Sequence, residues 1–207
     1  MDGSELAFTG VTKPVIFIGG GGHFRSVLDV FLSDGRQAVG GILDDVLEKG
    51  SRVLGLEVIG GTTDIAKLVD NHLFHVSVGK IGRSPHRKAL AEQCWAAGGK
   101  LATAVASTAY VSEFAHIGEG AVIHHGAVVN AGASVGRNSI INSQALIEHD
   151  AVIGNHCHVS TGAIINGSAQ LGDHSFVGSG AIVFHDVLLG EETIISAGAI
   201  VNESRQP

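Results

Sequence analysis

The chain has little of what marks a secreted, a nucleic-acid-binding or a membrane protein. Only two of its 207 residues are cysteines, Cys94 and Cys157. That is too few for a disulfide framework, and they lack metal-binding spacing. A reducing, cytoplasmic setting is expected. Lys and Arg number 13 against 20 Asp and Glu, a formal charge of -7 at pH 7. A phosphate backbone needs a basic face, so no nucleic-acid partner is expected. No uninterrupted apolar run reaches the ~20 residues of a membrane span. The opening MDGSELAFTGVTKP has neither the basic nor the apolar region of a signal peptide. Prolines number 3, but glycines number 30, which suggests many tight turns. With 44% hydrophobic and 16% charged residues, the composition is globular, and the length allows one or two domains.

From Val105 to Val201 an aliphatic residue returns at every sixth position, through Val111, Ile117 and Ile123 to Ile195. Four residues after each comes a small one, such as Ala109, Ala115, Ser139 or Cys157; Val187 and Thr193 are the larger exceptions. A helix would show a period of 3.6 and a simple strand a period of 2. A strict six predicts a short flat strand and a turn, repeated. Two inward positions per hexad, one large and one small, describe a narrow triangular prism. Three hexads form one coil, and coils stack at about 4.8 Å. Gly118, Asn130, Gly136, Asn142, Gly154, Asn166 and Gly172 are expected at corners with positive φ.

Residues 15–104 read differently, after a tail at 1–14. Val15–Ile18 is an expected strand, Gly19–Gly22 a glycine loop, and about His23–Leu32 an amphipathic helix. AVGGILDD reads as a second strand and FHVSVG as a third. TTDIAKLVD reads as a helix capped by Thr62 or Thr63, and another helix starts after Ser84. This is a small α/β, Rossmann-like unit with a parallel sheet. Its glycine loop offers backbone N–H groups to phosphates. Gly19, Gly21 and Asp44 suit a dinucleotide fingerprint, but Phe24 stands at the third glycine position and the unit is short. A nucleoside diphosphate is the preferred ligand.

The hexads 105–201 resemble the left-handed parallel β-helix of hexapeptide-repeat acyltransferases. From Val15 to about Val201 the chain resembles the bacterial acetyltransferases of the bacillosamine and perosamine type, related to sialic acid O-acetyltransferases. Three segments carry the likeness: GGGGH at 19–23, ILDD at 42–45, and NSQALIEHDAVIGNHCHVSTGAIING at 142–167. The family is expected to use acetyl-coenzyme A and to acetylate the 4-amino group of a UDP-, GDP- or dTDP-linked sugar, for surface glycans. It implies a homotrimer with active sites between subunits.

The resemblance makes His149 the general base and Asp150 its acidic partner. An amine attacking a thioester must shed a proton, and a histidine can take it near neutral pH. Glu148 also flanks the ring, and the sequence does not choose between the two carboxylates. His149 follows the inward Ile147 by two, so it should face outward. By resemblance His158 enters the same site, and Gly162, Gly167 and Ala197 approach acetyl-coenzyme A; for the glycines a tight turn is an equal explanation. Asn142 would lie near the sugar. Gly20, Gly21, Gly22 and His23 would hold the pyrophosphate, with Asp44 and Asp45 near ribose and base. Relatives continue past the last hexad with a short basic tail; here Arg205 is the one candidate for that role. No metal is expected: His149 and His185 are two coils apart, too far to share a zinc. The rival readings are O-acetylation of a sugar or sialic acid, and a non-catalytic nucleotide-binding trimer module.

Overall fold

The structure, a computed structural model, describes residues 13–205. The expected tail at 1–14 lies outside them, except for Lys13 and Pro14. Strand β1 (Val15–Ile18) is four buried residues, three of them β-branched. Helix α1 (Gly22–Asp34) turns Phe24, Val27, Leu28 and Phe31 to one face, at the spacing of a helix stripe. It ends at Gly35, whose φ of 67° is free for glycine. The rings of Phe24 and Phe31 meet Phe17 of β1 edge to face, at 5.4 and 5.1 Å. Phe24 therefore fills the core and leaves the glycine loop unobstructed.

Strands β2 (Val39–Leu43), β3 (Arg52–Val53), β4 (Leu56–Gly60) and β5 (Leu73–Val76) complete a sheet in the order β3-β4-β2-β1-β5. All its pairs are parallel except β3 with β4. That hairpin was not expected. Its turn is Leu54-Gly55, with φ of 50° and 83°. Two positive φ values usually announce themselves as Asn-Gly or Asp-Gly. The TTDIAKLVD segment is a 3-10 turn, Thr62–Asp64, followed by α2 (Ile65–Leu68). Neither threonine caps it. Gly61 holds the cap position, and its N–H donates to Asp64 at 3.3 Å. Helix α3 (His86–Ala96) follows, with Pro85 at its start.

From Ala104 to Val201 run strands β6 to β22, each of two residues. They form three parallel sheets of 6, 6 and 5 strands, the faces of a left-handed β-helix. Partners lie one coil apart, as Val129 with Ile147 and Ile147 with Ile165. The expected inward residues, Ala127, Val129, Ala145, Ile147 and their equivalents, are 0–4% exposed through the body of the prism. Inward hydroxyls are satisfied internally: Ser139 Oγ donates to the Gly154 carbonyl and accepts from Cys157 N–H.

The positive-φ positions are not the expected ones. They fall two residues later, at Gly120, Gly132, Asn138, Gln144, His156, Ser168 and His174. Gly118, Gly136, Gly154 and Gly172 are needed for another reason. A Cβ on any of them would come within 2.5–2.8 Å of an atom of the next coil.

The outward residue of each hexad decides what each face does. Face one presents Ala104, Val122 and Ile140, all buried against Phe24, Val27 and Leu28 of the N-terminal unit. Face two presents Tyr110, Val128, Leu146, Ile164, Ile182 and Ile200, an aliphatic row with Tyr110 and Ile200 well exposed. Face three presents His116, Ser134, Val152, Gln170 and Leu188.

Candidate active site

His149 stands on the corner between faces two and three. Its side chain is 64% exposed, and Nδ1 lies 2.9 Å from Asp150 Oδ2. Asp150 has a φ of 60°, which turns its carboxylate back toward the preceding ring. Glu148 is engaged elsewhere: Oε2 accepts from Asn130 Nδ2 one coil below and from the His149 backbone N–H. The hydrogen bond to Asp150 raises the His149 pKa, helped by the charges of Asp150, Glu148 and Asp186. A carboxylate on Nδ1 fixes that nitrogen as the N–H and leaves Nε2 as the basic atom.

Gly167, one coil above, explains the ring's position. A Cβ there would sit 2.7 Å from His149 Cε1 and Nε2. Gly167 is the seat of the imidazole. His185 and Asp186 lie on the same corner, one coil further, and line the same groove. Asp186 was not singled out by the sequence reading. The 36-residue spacing of His149-Asp150 and His185-Asp186 is the signal that finds it.

The other expected site residues divide. Gly162 and Ala197 lie on the corner between faces one and two, away from Gly167. His158 does not join His149 within one chain. It is on face one, 6% exposed, with Nδ1 against the Lys80 carbonyl and Nε2 3.2 Å from Asn142 Nδ2. Asn142 also accepts from Ser143 N–H through Oδ1. Both face the seam with the N-terminal unit, because the hexad phase puts residue 158 outward on the face that this unit covers.

Gly21 and Gly22 are exposed at the start of α1, which has no side-chain cap and no acid in its first turn. Gly20 is buried and its N–H donates to Asp44 Oδ2 at 2.7 Å. Asp44 Oδ1 accepts from the N–H groups of Val46 and Leu47. Burial raises the Asp44 pKa, but these three donors outweigh it and hold the carboxyl below its usual range. Asp45 accepts from Thr62 N–H and Oγ1. Both carboxylates brace loops instead of standing free. His23 points away from the loop mouth, into the seam, its ring 5.5 Å from His124 and 6.4 Å from His158. Burial brings its pKa down to about 2, so it is neutral. Gly79 gives it room: a Cβ there would touch the ring at 3.4 Å.

Neither cysteine is a nucleophile. Both are buried, and burial pushes both thiols up to about 12. Among the described residues, no three His, Cys, Asp or Glu side chains are placed to hold a metal ion. No described helix is long and apolar enough to cross a membrane.

Residues 14–94 match the model of the PglD N-terminal domain, and residues 114–149 that of the bacterial transferase hexapeptide repeats. Comparison with curated protein sequences found no match. Solved structures give close likenesses. The acetyltransferase domain of PglB from Neisseria gonorrhoeae, in complex with acetyl coenzyme A, has a TM-score of 0.87 and 31% identity, over 94% of this chain and 93% of that one. PerB from Caulobacter crescentus, in complex with CoA and GDP-perosamine, has a TM-score of 0.84 and 30% identity, over 93% of this chain and 90% of that one. WeeI from Acinetobacter baumannii, at 22% identity, shares the fold, with a TM-score of 0.82 over 94% of each chain. Identity of this order, held along both the α/β unit and the prism, makes the chain a member of the hexapeptide-repeat sugar-nucleotide acetyltransferases.

Proposed function

We propose that the chain transfers acetyl from acetyl-coenzyme A directly to the 4-amino group of a nucleotide-linked 4-amino-4,6-dideoxysugar, with His149 as general base. The His149–Asp150 pair carries this reading: one carboxylate on Nδ1, and Nε2 free over Gly167. Nε2 takes the proton that the amine sheds as nitrogen bonds to the acetyl carbon. It returns that proton to sulfur as the C–S bond breaks. Asp150 supports the imidazolium between the two steps. The inert cysteines favour direct transfer over an acyl-enzyme.

The exposed N–H groups at Gly21 and Gly22, at an uncapped helix start, suit a pyrophosphate. Asp44 shapes that loop by holding Gly20. The PerB complex, with CoA and GDP-perosamine together, supports a nucleotide-linked amino sugar as the acceptor class. The aliphatic row on face two fits contact with two further copies. A homotrimer would bring His149 of one chain toward the seam of its neighbour, and light scattering should then return three times the chain mass.

Thiol release from acetyl-coenzyme A, with UDP-, GDP- and dTDP-4-amino-4,6-dideoxysugars and their hydroxy counterparts, tests the reading. Turnover is expected with one amino sugar, and His149→Asn should lower it about 10²–10⁴-fold. Turnover on hydroxyl acceptors alone would replace it with O-acetylation. Nucleotide binding without any turnover would leave a binding module.

A further inference from the structure

Two cations are buried where the N-terminal unit meets the prism, and neither has a carboxylate within salt-bridge distance among the described residues. Lys80 is 4% exposed and Arg87 0%. Lys80 Nζ donates to the carbonyls of His174 and Gly82, at 2.7 and 2.9 Å. Arg87 donates to the carbonyls of Asn138, Val76 and Val78, and its Nη2 has no partner. Burial brings the Arg87 pKa down to about 9, so it keeps its charge at neutral pH. Carbonyls satisfy N–H groups but do not neutralise charge, and an uncompensated buried charge is strongly unfavourable.

Beside the two lies a cavity of about 180 Å³, lined also by Arg83, Lys88, His156 and His174. Glu192 is the one carboxylate in its wall, and Lys88 lies 3.6 Å from Glu92 on its own helix. The 11-residue α3 starts here, with no side-chain cap and no acid in its first turn. His156, 9% exposed, pairs Nδ1 with Asn138 Nδ2. That assignment leaves Nε2 as the N–H, without a protein partner, on a ring that lines the cavity. His174 stacks on it at 5.1 Å.

We propose that this cavity binds a phosphate group, at a site separate from the acetyl-transfer corner. The walls carry an excess of positive charge, Arg87 Nη2 and His156 Nε2 lack protein partners, and Glu192 is the one carboxylate that answers them. The volume of about 180 Å³ is below the ~300 Å³ at which drug-sized ligand sites begin, so what it seats is one phosphoryl group. The site stands on the corner between faces three and one, whereas His149 stands between faces two and three. It is coupled to the glycine loop all the same. The segment that carries Lys80 and Arg83 also packs Val78 on Gly19 and Gly79 on His23, and the Lys80 carbonyl meets His158. A bound phosphate would fasten that segment.

The test is thermal unfolding of the full chain at constant pH and ionic strength, with inorganic phosphate or ribose 5-phosphate replacing chloride. At ten times Kd the Tm should rise by about 3–6 °C. Titration calorimetry should give one site per chain. The double variant Arg83→Glu/Lys88→Glu, on exposed and half-buried positions, should lose the response. Arg83→Gln/Lys88→Gln serves if that pair fails to fold. A response to inorganic phosphate alone makes the free ion the ligand, and a response to both makes it a phosphomonoester site; each supports the proposal. A Tm unmoved beyond chloride at matched ionic strength overturns it, and so does an equal rise in the variant. None of these readouts depends on acetyl transfer.

Discussion

A missing methyl group at position 167 allows His149 to sit where it does. The nearest ring atoms would lie 2.7 Å from a Cβ there. Gly167 is not among the positive-φ residues, so alanine meets no left-handed strain. Gly167→Ala should therefore leave the fold intact and push the imidazole off its seat. A misplacement of ~1 Å costs on the order of 10²-fold in rate. That drop in kcat is expected, with Tm within about 2 °C of the wild type by the scaling for chains of this size. An unchanged kcat would mean that the ring does not rest on residue 167 during catalysis. The sequence offered residue 167 for a backbone approach to acetyl-coenzyme A or for a tight turn, and not as a seat for a ring. The clash appears only when residues 149 and 167 are stacked.

The hexad separates two uses of glycine that look alike in a sequence. Gly154 has an ordinary φ, but a Cβ on it would lie 2.5 Å from Asp173 Oδ1 and 2.7 Å from Asp173 N. Gly180 has a φ of 66° and nothing within 4 Å. Crowding of the first kind costs about 1–3 kcal/mol. The second site needs only a residue that tolerates left-handed backbone, as Asn138 already does. Gly154→Ala should lower Tm by several degrees, at about 2–4 °C per kcal/mol. Gly180→Asn should stay within about 0.5 kcal/mol of the wild type, as for most surface changes. Thermal melts of the two variants check this, and equal losses would refute the distinction.

Across the whole molecule, the seam holds five histidines that burial keeps neutral. The pKa of His23 falls to about 2, that of His75 to about 3, and those of His124, His156 and His158 to about 4. Neighbouring cations and imidazoles add to the effect of burial. Above pH 6.5 both folded and unfolded chains carry these rings neutral. Below it the unfolded chain takes up protons that the folded one refuses, so stability falls with pH, down to about 4 for His124, His156 and His158 and further, to about 3 and 2, for His75 and His23. Each ring contributes a slope of up to about 1.4 kcal/mol per pH unit in that window. Tm should be level from pH 8 to 7 and drop steeply between 6 and 4.5. A flat profile would show that the seam admits protons without opening.

The sequence by itself determined the prism, the α/β unit before it and the Glu148-His149-Asp150 corner, though only the structure put Asp150 on the ring. Each is written in a local code: a period of six, a strand-loop-helix order, a short motif. Hexad phase also assigns each outward residue to a face, so that Val122 and Ile140 fall in one column, but not whether that column is covered. Tertiary structure alone decided where the two halves meet and what that contact does. Lys80 reaches the carbonyl of His174 across 94 residues, and Arg87 that of Asn138 across 51. No periodicity records such pairs. The same contact turned His23 and His158 inward and closed basic walls around a cavity. Local patterns set which way a backbone runs, whereas burial and charge in the seam depend on which surface the folded unit lands upon.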